Sequence, residues 1–187
     1  MKTLYLQNSH NFDTDYSDDE KSKSRELYIS QKLIEIISST LHTIIKDNKN
    51  QKNSQKEFDK IFSHSRDPEI SLYDYWSRIH QYSFINDSTL IISLIYIDRI
   101  CKNKGVKLTK NNIHRILFSS ILTSIKFNED KIYTNSFYAK IAGISVKELI
   151  KLESAFLKLI DFKLFISDEI YNIYATYLYS FDKISNN

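Results

Sequence analysis

Apolar side chains recur at helical spacing along most of the chain, in segments separated by short polar stretches. Residues 25–47 carry one such repeat, and from Ser71 onward further segments with the same period follow in close order. A spacing of three or four residues places side chains on one face of an α-helix. The pattern therefore predicts an N-terminal helix followed by a compact set of helices.

Capping signals mark the ends of these helices. Ser145 and Glu148 form a predicted capping box, in which each side chain would accept a hydrogen bond from the other residue's amide. Asp87 or Ser88 is a suitable N-cap, and Gly105 follows a helical repeat as C-terminal caps do. The predicted helices span about residues 72–82, 87–105, 109–126, 134–143, 145–161 and 168–181.

Polar segments divide the chain into five parts. Residues 1–24 contain an acidic run and predict a disordered tail, and residues 48–66, rich in Lys, Asn, Gln and Ser, predict a surface loop. The other parts are an N-terminal helix over 25–47, a helical domain over 67–165, and a C-terminal helix with a tail over 166–187.

Composition supports an all-α fold and excludes several function classes. The 187 residues include only 2 Gly and 1 Pro, too few for the turns of an all-β protein. A net charge of +3 is too weak to indicate nucleic-acid binding, and no apolar run approaches the roughly 20 residues that span a membrane. The single cysteine, Cys101, suggests a reducing compartment, and we expect a protein of the cytoplasm or nucleus.

Charged residues interrupt the most apolar predicted helix. Asp98 and Arg99 follow a run of aliphatic residues, and neither can be buried without a partner. Two explanations stay open: an internal salt bridge, in which Asp98 would meet Arg78, or a role at a partner surface. We expect Arg78, Asp98, Arg99 and Arg115 to be structural charges.

Two further charges stand at informative positions. Lys126 lies at the C-terminal end of its predicted helix, where the helix dipole favours a cation. Glu153 lies seven residues from both Val146 and Ile160, in the middle of an apolar helix face. Either the protein supplies hydrogen-bond donors to this carboxylate internally, or a binding partner does.

No catalytic constellation is recognisable. The five histidines lack metal-ligand spacing, two glycines cannot form a phosphate-binding loop, and no serine has the context of a nucleophile. The sequence predicts no catalytic residue, no metal and no cofactor. Binding is therefore favoured over a helical enzyme with an unrecognised site.

Short motifs between Ser71 and Phe165 follow one another in the order and spacing of a known family. In chain order they are Tyr73-Asp74-Tyr75-Trp76-Ser77-Arg78, Tyr96-Ile97-Asp98-Arg99, Asn112-Ile113-His114-Arg115, Lys126-Phe127, Tyr138-Ala139-Lys140, Glu148-Leu149, Leu152-Glu153 and Asp161-Phe162. Together they resemble the cyclin box, specifically that of P/U-type cyclins such as the fungal phosphate-pathway cyclin. The resemblance covers about half of the chain.

The resemblance implies a single five-helix cyclin box over 67–165, with flanking helices, that binds and activates a cyclin-dependent protein kinase. It implies that Lys126 and Glu153 are the kinase-binding pair, which hydrogen-bonds the backbone around the kinase's regulatory helix. Ile150 and Phe156 would add contact area. Asp130 would offer a carboxylate to the arginine cluster that gathers an activation-loop phosphate in related kinases, with Glu129 as its rival.

The chain departs from cell-cycle cyclins in two respects. Their Met-Arg-Ala-Ile-Leu docking motif is missing, and Tyr73-Asp74-Tyr75-Trp76 stands near its place, so substrate recruitment there is in doubt. The chain also has room for only one cyclin box. A cyclin-fold scaffold for transcription or RNA factors is the alternative function that keeps the same fold.

Overall fold

A computed structural model describes residues 18–49, 56–64 and 67–184. These residues form eight α-helices and no strand, which confirms the predicted all-α class. The helices are α1 (Asp18–Asp47), α2 (Lys56–Phe62), α3 (Leu72–Ser83), α4 (Asp87–Lys104), α5 (Ile113–Asn128), α6 (Asn135–Ala142), α7 (Val146–Leu159) and α8 (Asp168–Ile184).

Helix α5 is the centre of the fold. Nearly all of its side chains up to Ile125 are buried, and α5 packs most extensively against α4 and α7. Its small polar residues allow α4 to approach closely, because Ser120 Oγ donates to the carbonyl oxygen of Ser93 at 2.6 Å and Ser124 Oγ to that of Thr89 at 3.0 Å.

The N-terminal region is more helical than the sequence pattern indicated. Helix α1 begins at Asp18, within the segment predicted to be a disordered tail, and residues 1–17 of that tail lie outside the described residues. Acidic residues at a helix N-terminus suit the positive end of its dipole, which explains a start without an apolar repeat. Helix α1 packs against α3 and α8.

Helix α2 lies inside the segment predicted to be a polar loop, so that prediction is wrong for residues 56–62. Phe58 and Phe62 are one helical turn apart, both are buried, and their rings stack with centroids 4.9 Å apart. They anchor α2 against α7. Two aromatic residues among polar ones form too short a pattern to predict a helix of seven residues.

The caps agree with the sequence at most helix ends. Gly105 and Gly143 adopt left-handed φ values of 64° and 71° at the C-caps of α4 and α6. Ser145 Oγ accepts from the Glu148 amide at 3.1 Å, but the Glu148 carboxylate pairs with Arg115 and does not complete the box. The N-cap of α4 is Asn86, one residue before the predicted Asp87.

No helix in the described part of the chain is both long enough and apolar enough to cross a membrane.

Candidate functional site

Lys126 and Glu153 meet between the last turn of α5 and the middle of α7. Lys126 Nζ lies 2.7 Å from Glu153 Oε1, and the two side chains are 26% and 18% exposed. Lys126 Nζ also donates to Asn135 Oδ1 at 2.7 Å, which adds the first residue of α6 to the cluster. Glu153 therefore has an internal donor, and the pair remains within reach of a partner.

The position of Glu153 follows from the way α7 packs. Leu149, Leu152 and Phe156 form the buried face of this helix. Val146, Ile150, Glu153 and Leu157 follow at spacings of four, three and four residues, which places them along one adjacent edge. Glu153 thus lies at the border of the core, so the carboxylate is shielded without being enclosed.

Exposed apolar residues surround the pair. Ile150, one turn before Glu153, is 51% exposed, and Phe127, next to Lys126, is 53% exposed. Phe156 is 0% exposed, so the expectation that it adds contact area is wrong. The helical repeat could not separate the two residues, because both lie three positions from Glu153 on an amphipathic helix. We call Lys126, Phe127, Ile150 and Glu153 the pair surface.

The two acidic residues after α5 have different environments. The Glu129 carboxylate accepts from the Asn86 amide at 3.1 Å, from Asn86 Nδ2 at 2.8 Å and from Thr89 Oγ1 at 2.5 Å. It therefore caps α4 in place of a local side chain. Asp130 is exposed and forms no hydrogen bond or ion pair with any described residue.

Asp130 lines a groove of about 350 Å³ together with Phe84 and Tyr133. Phe84 is 79% exposed and holds a left-handed φ of 51° at the C-cap of α3. A bulky residue in that conformation is strained by roughly 1–2 kcal/mol, and its ring gains little burial within the chain. The groove thus combines a free carboxylate with an exposed aromatic ring.

Asp98 does not pair with Arg78, and that prediction is wrong. Its carboxylate lies 2.7 Å from Lys102 Nζ and accepts from Tyr174 Oη at 2.5 Å. Helix α4 turns Asp98 toward α8, whose Tyr174 supplies a donor that the sequence pattern did not indicate. Burial, and then the hydrogen bond to Asp98, raise the pKa of Tyr174.

Arg99 and Arg115 both donate hydrogen bonds to backbone carbonyl oxygens of other segments. Arg99 donates to the carbonyl oxygens of Lys163 and, at 3.3 Å, of Phe165, so it fixes the turn between α7 and α8. Arg115 donates to the carbonyl oxygens of Ile61 at 3.3 Å and Ser63 at 2.8 Å, and pairs with Glu148. Arg78 forms no hydrogen bond or ion pair with a described residue. Its Cζ lies 5.2 Å from the centroid of the Tyr75 ring.

Comparison with known proteins identifies the family to which this arrangement belongs. Residues 19–164 match the family model described as Cyclin. The chain belongs to the cyclin family. Members of this family are non-catalytic regulators of protein kinases. The matched residues run from the first turn of α1 to the end of α7, and α8 follows them.

The relatives of this cyclin are of the P and U types and the PHO85 type, as the motifs predicted. It is 31% identical to Cyclin-P3-1 of Oryza sativa over 87% of this chain and 76% of that protein. It is 35% identical to Cyclin-U4-2 of Arabidopsis thaliana over 80% of this chain and 71% of the relative. PHO85 cyclin-7 of Saccharomyces cerevisiae is 36% identical over 81% of this chain and 61% of the relative. The chain spans between 52% and 76% of the length of such curated relatives.

Several contacts of the site were not predicted from the sequence. Asn135 orients Lys126, Glu129 caps α4, and Tyr174 holds Asp98. Each contact joins residues from different helices, and no local pattern marks such a pair. Within the described residues, no cluster of His, Cys, Asp or Glu could hold a metal ion.

Proposed function

We propose that this cyclin binds and activates a cyclin-dependent protein kinase by positioning the kinase's regulatory helix. The observation that carries the proposal is the Lys126–Glu153 contact at 2.7 Å, partly exposed and flanked by Phe127 and Ile150. Membership of the cyclin family supports it, and one relative is named as a cyclin of PHO85.

The pair has hydrogen-bonding capacity left for a backbone. A lysine ammonium group has three donors, and Lys126 uses two, on Glu153 and Asn135. Glu153 uses Oε1, while Oε2 has no partner among the described residues. One free donor and one free acceptor match the carbonyl oxygen and the amide of an extended segment or a helix end. Ile150 and Phe127 supply apolar area beside them.

Catalysis would belong to the kinase. A kinase is active when a glutamate of its regulatory helix reaches the lysine that binds the ATP phosphates. A cyclin that hydrogen-bonds the backbone around that helix stabilises this position. The role needs no catalytic residue in the cyclin. We expect both proteins in the cytoplasm or nucleus.

Asp130 completes the proposal as the side chain that replaces an activation-loop phosphate. Its rival Glu129 is occupied as the cap of α4, whereas Asp130 is exposed and unpaired among the described residues. A carboxylate can bind an arginine guanidinium through two parallel hydrogen bonds. We expect kinase activation without loop phosphorylation, and Asp130→Ala to lower turnover more than binding.

A kinase assay tests this role of Asp130. The partner kinase carries alanine at its phosphorylatable loop residue, and wild-type cyclin is compared with Asp130→Ala and with Lys131→Ala as a neighbouring control. Activity with wild-type cyclin that falls only for Asp130→Ala is expected. Loss of activity even with wild-type cyclin would show that the phosphate is required.

Co-purification tests the function as a whole. The tagged chain is isolated from native extract and its partners are identified by mass spectrometry. A stoichiometric protein kinase is expected, together with its loss in Glu153→Ala. Recovery of transcription or RNA factors without a kinase would support the scaffold function and contradict activation.

A further inference from the structure

A cavity of about 250 Å³ lies at the end of α5 opposite to the pair surface. It is lined by Arg78 of α3, by His114 and Arg115 of α5, and by His64 of the segment after α2. No carboxylate is among the described residues that line it. The cavity is therefore a site of positive charge in a protein whose net charge is close to balanced.

Arg78 is the residue that the fold leaves unexplained. It forms no hydrogen bond or ion pair with a described residue, and its Nε is buried without a partner. A Cβ placed at Gly143 would lie 3.8 Å from Arg78 Nη2, so the guanidinium rests against the turn between α6 and α7. A guanidinium whose donors are not used within the described chain can offer them to a bound acceptor.

The neighbouring groups leave Arg78 as the uncompensated charge of the cavity. Glu148 neutralises Arg115 from outside the lining, and no carboxylate of the described residues does so for Arg78. His114 Nε2 contacts the carbonyl oxygen of Ile70 at 3.1 Å, and its Nδ1 is buried without a partner. Burial lowers the pKa of His64, and the positive charges of Arg115 and His114 lower it further.

We propose that this cavity binds the phosphoryl group of a phosphoserine or phosphothreonine side chain of a partner protein. A guanidinium offers a planar fork of donors that matches phosphate oxygens, and Arg78 has that fork free of described acceptors. Apolar lining residues, among them Pro68 and Ile144, give the flanking peptide a surface that a free ion would not use.

The cavity is separate from the pair surface. Arg115 and Lys126 are eleven residues apart on α5, which corresponds to about 16 Å along the helix. A phosphorylated partner could therefore occupy the cavity while the pair surface is covered. The proposal does not depend on kinase activation, so it can be tested on the cyclin alone.

The test measures fluorescence anisotropy of a labelled peptide pool with a fixed central phosphoserine and randomised flanks, against its unphosphorylated counterpart. Wild-type chain is expected to bind the phosphorylated pool at least about tenfold more tightly. Arg78→Gln should remove most of that difference, and Arg78→Lys, which keeps the charge but loses the fork, should remove part of it. The control Lys140→Gln removes an exposed charge of α6 outside the cavity and should change nothing.

Thermal unfolding separates this role from a structural one. Arg78→Gln should melt at or above the wild-type temperature, because it removes an unpaired charge. Equal binding of both peptide pools, or phosphopeptide binding that survives Arg78→Gln, would overturn the proposal. Competition by inorganic phosphate at the concentration of the phosphopeptide would overturn the assignment to a protein-borne group.

Discussion

In the described part of the chain two ion pairs join α5 to α7, one near each end of α5, and they differ in what else holds them. Arg115 pairs with Glu148 and also donates to the carbonyl oxygens of Ile61 and Ser63. Lys126 pairs with Glu153, and its other described partner is the side chain of Asn135. The first pair is also hydrogen-bonded to the backbone at the end of α2, and the second is hydrogen-bonded only to a side chain.

This difference distinguishes a pair that holds the fold from a pair that is available for binding. Removing Arg115 would leave two carbonyl oxygens and a carboxylate without their donor. Removing Lys126 would leave groups that water can reach beside exposed Phe127 and Ile150. Opposite charges between the same two helices therefore do not imply the same role, and the predictions below test that contrast.

The largest expected effect concerns the pair surface. Lys126→Ala or Glu153→Ala should abolish kinase activation, because truncating one partner of a hydrogen-bonded charged contact in an interface costs roughly 2–5 kcal/mol. That cost corresponds to a loss of affinity well over tenfold. Circular dichroism should show unchanged helicity, since partly exposed ion pairs contribute at most about 1 kcal/mol to stability. Wild-type activation by either variant would contradict the role of the pair.

The Arg115–Glu148 pair should show the opposite behaviour, in which its loss lowers stability and leaves kinase binding intact. Arg115→Ala removes hydrogen bonds that link α5 to α7 and to the chain after α2, and should lower the free energy of unfolding by about 2–3 kcal/mol. For a chain of this size each kcal/mol shifts the melting temperature by about 2–4 °C. Below its melting transition the variant should still bind the kinase. An unchanged melting temperature would show that the contacts are not structural.

Asp98 should give a smaller effect on stability. Asp98→Ala strands Lys102, which is mostly exposed, and Tyr174 Oη, so the expected loss is about 1 kcal/mol. Asp98→Asn keeps an acceptor for Tyr174 and should lose less. Thermal melts of both variants measure this, and kinase binding should not change. Lost binding with a wild-type melting temperature would show that Asp98 contacts the kinase and does not stabilise the fold.

The smallest expected effect is a pH dependence of stability, to which the histidines beside Arg115 contribute. Burial lowers the pKa of His64 and His114 below the ordinary 6.5, and that of His80 near α4 likewise. A lowered pKa in the folded state means that the unfolded chain binds protons first as pH falls. The stability that these neutral histidines contribute is complete above about pH 6.5 and is lost below it.

Melting temperatures between pH 5 and pH 8 check this prediction. The melting temperature should fall on the acid side of pH 6.5, and His64→Gln should reduce that fall. Lys126→Ala should leave it unchanged, because no histidine shift is attributed to Lys126. A melting temperature that rises toward pH 5 would contradict the assigned direction.

The sequence predicted helices α3 to α8 well, because strong apolar repeats and capping residues mark their positions. It failed at α2, where two phenylalanines in a polar segment provide too little periodicity. It also placed the start of α1 too late, since the residues before Leu27 carry no apolar repeat. Local sequence patterns detect a helix that buries a continuous apolar face. They miss a helix such as α2, which is anchored by only two apolar side chains.

The sequence located the candidate site less completely than the fold. The resemblance pointed to Lys126 and Glu153, which the structure brings into contact. It did not exclude Phe156, because periodicity alone cannot tell the buried face of α7 from its edge. The partner of Asp98 depends on how α4 is rotated toward α8, which no local pattern specifies.

The most direct test of the central claim is a double-mutant cycle on the pair surface. The dissociation constant of the kinase is measured for wild-type cyclin, Lys126→Ala, Glu153→Ala and the double variant, with Lys140→Ala as an exposed control. Each single change should weaken binding by more than about tenfold. The double variant should be only slightly weaker than either, because contacting residues act together. Wild-type affinity in either single variant would contradict the claim that Lys126 and Glu153 bind the kinase.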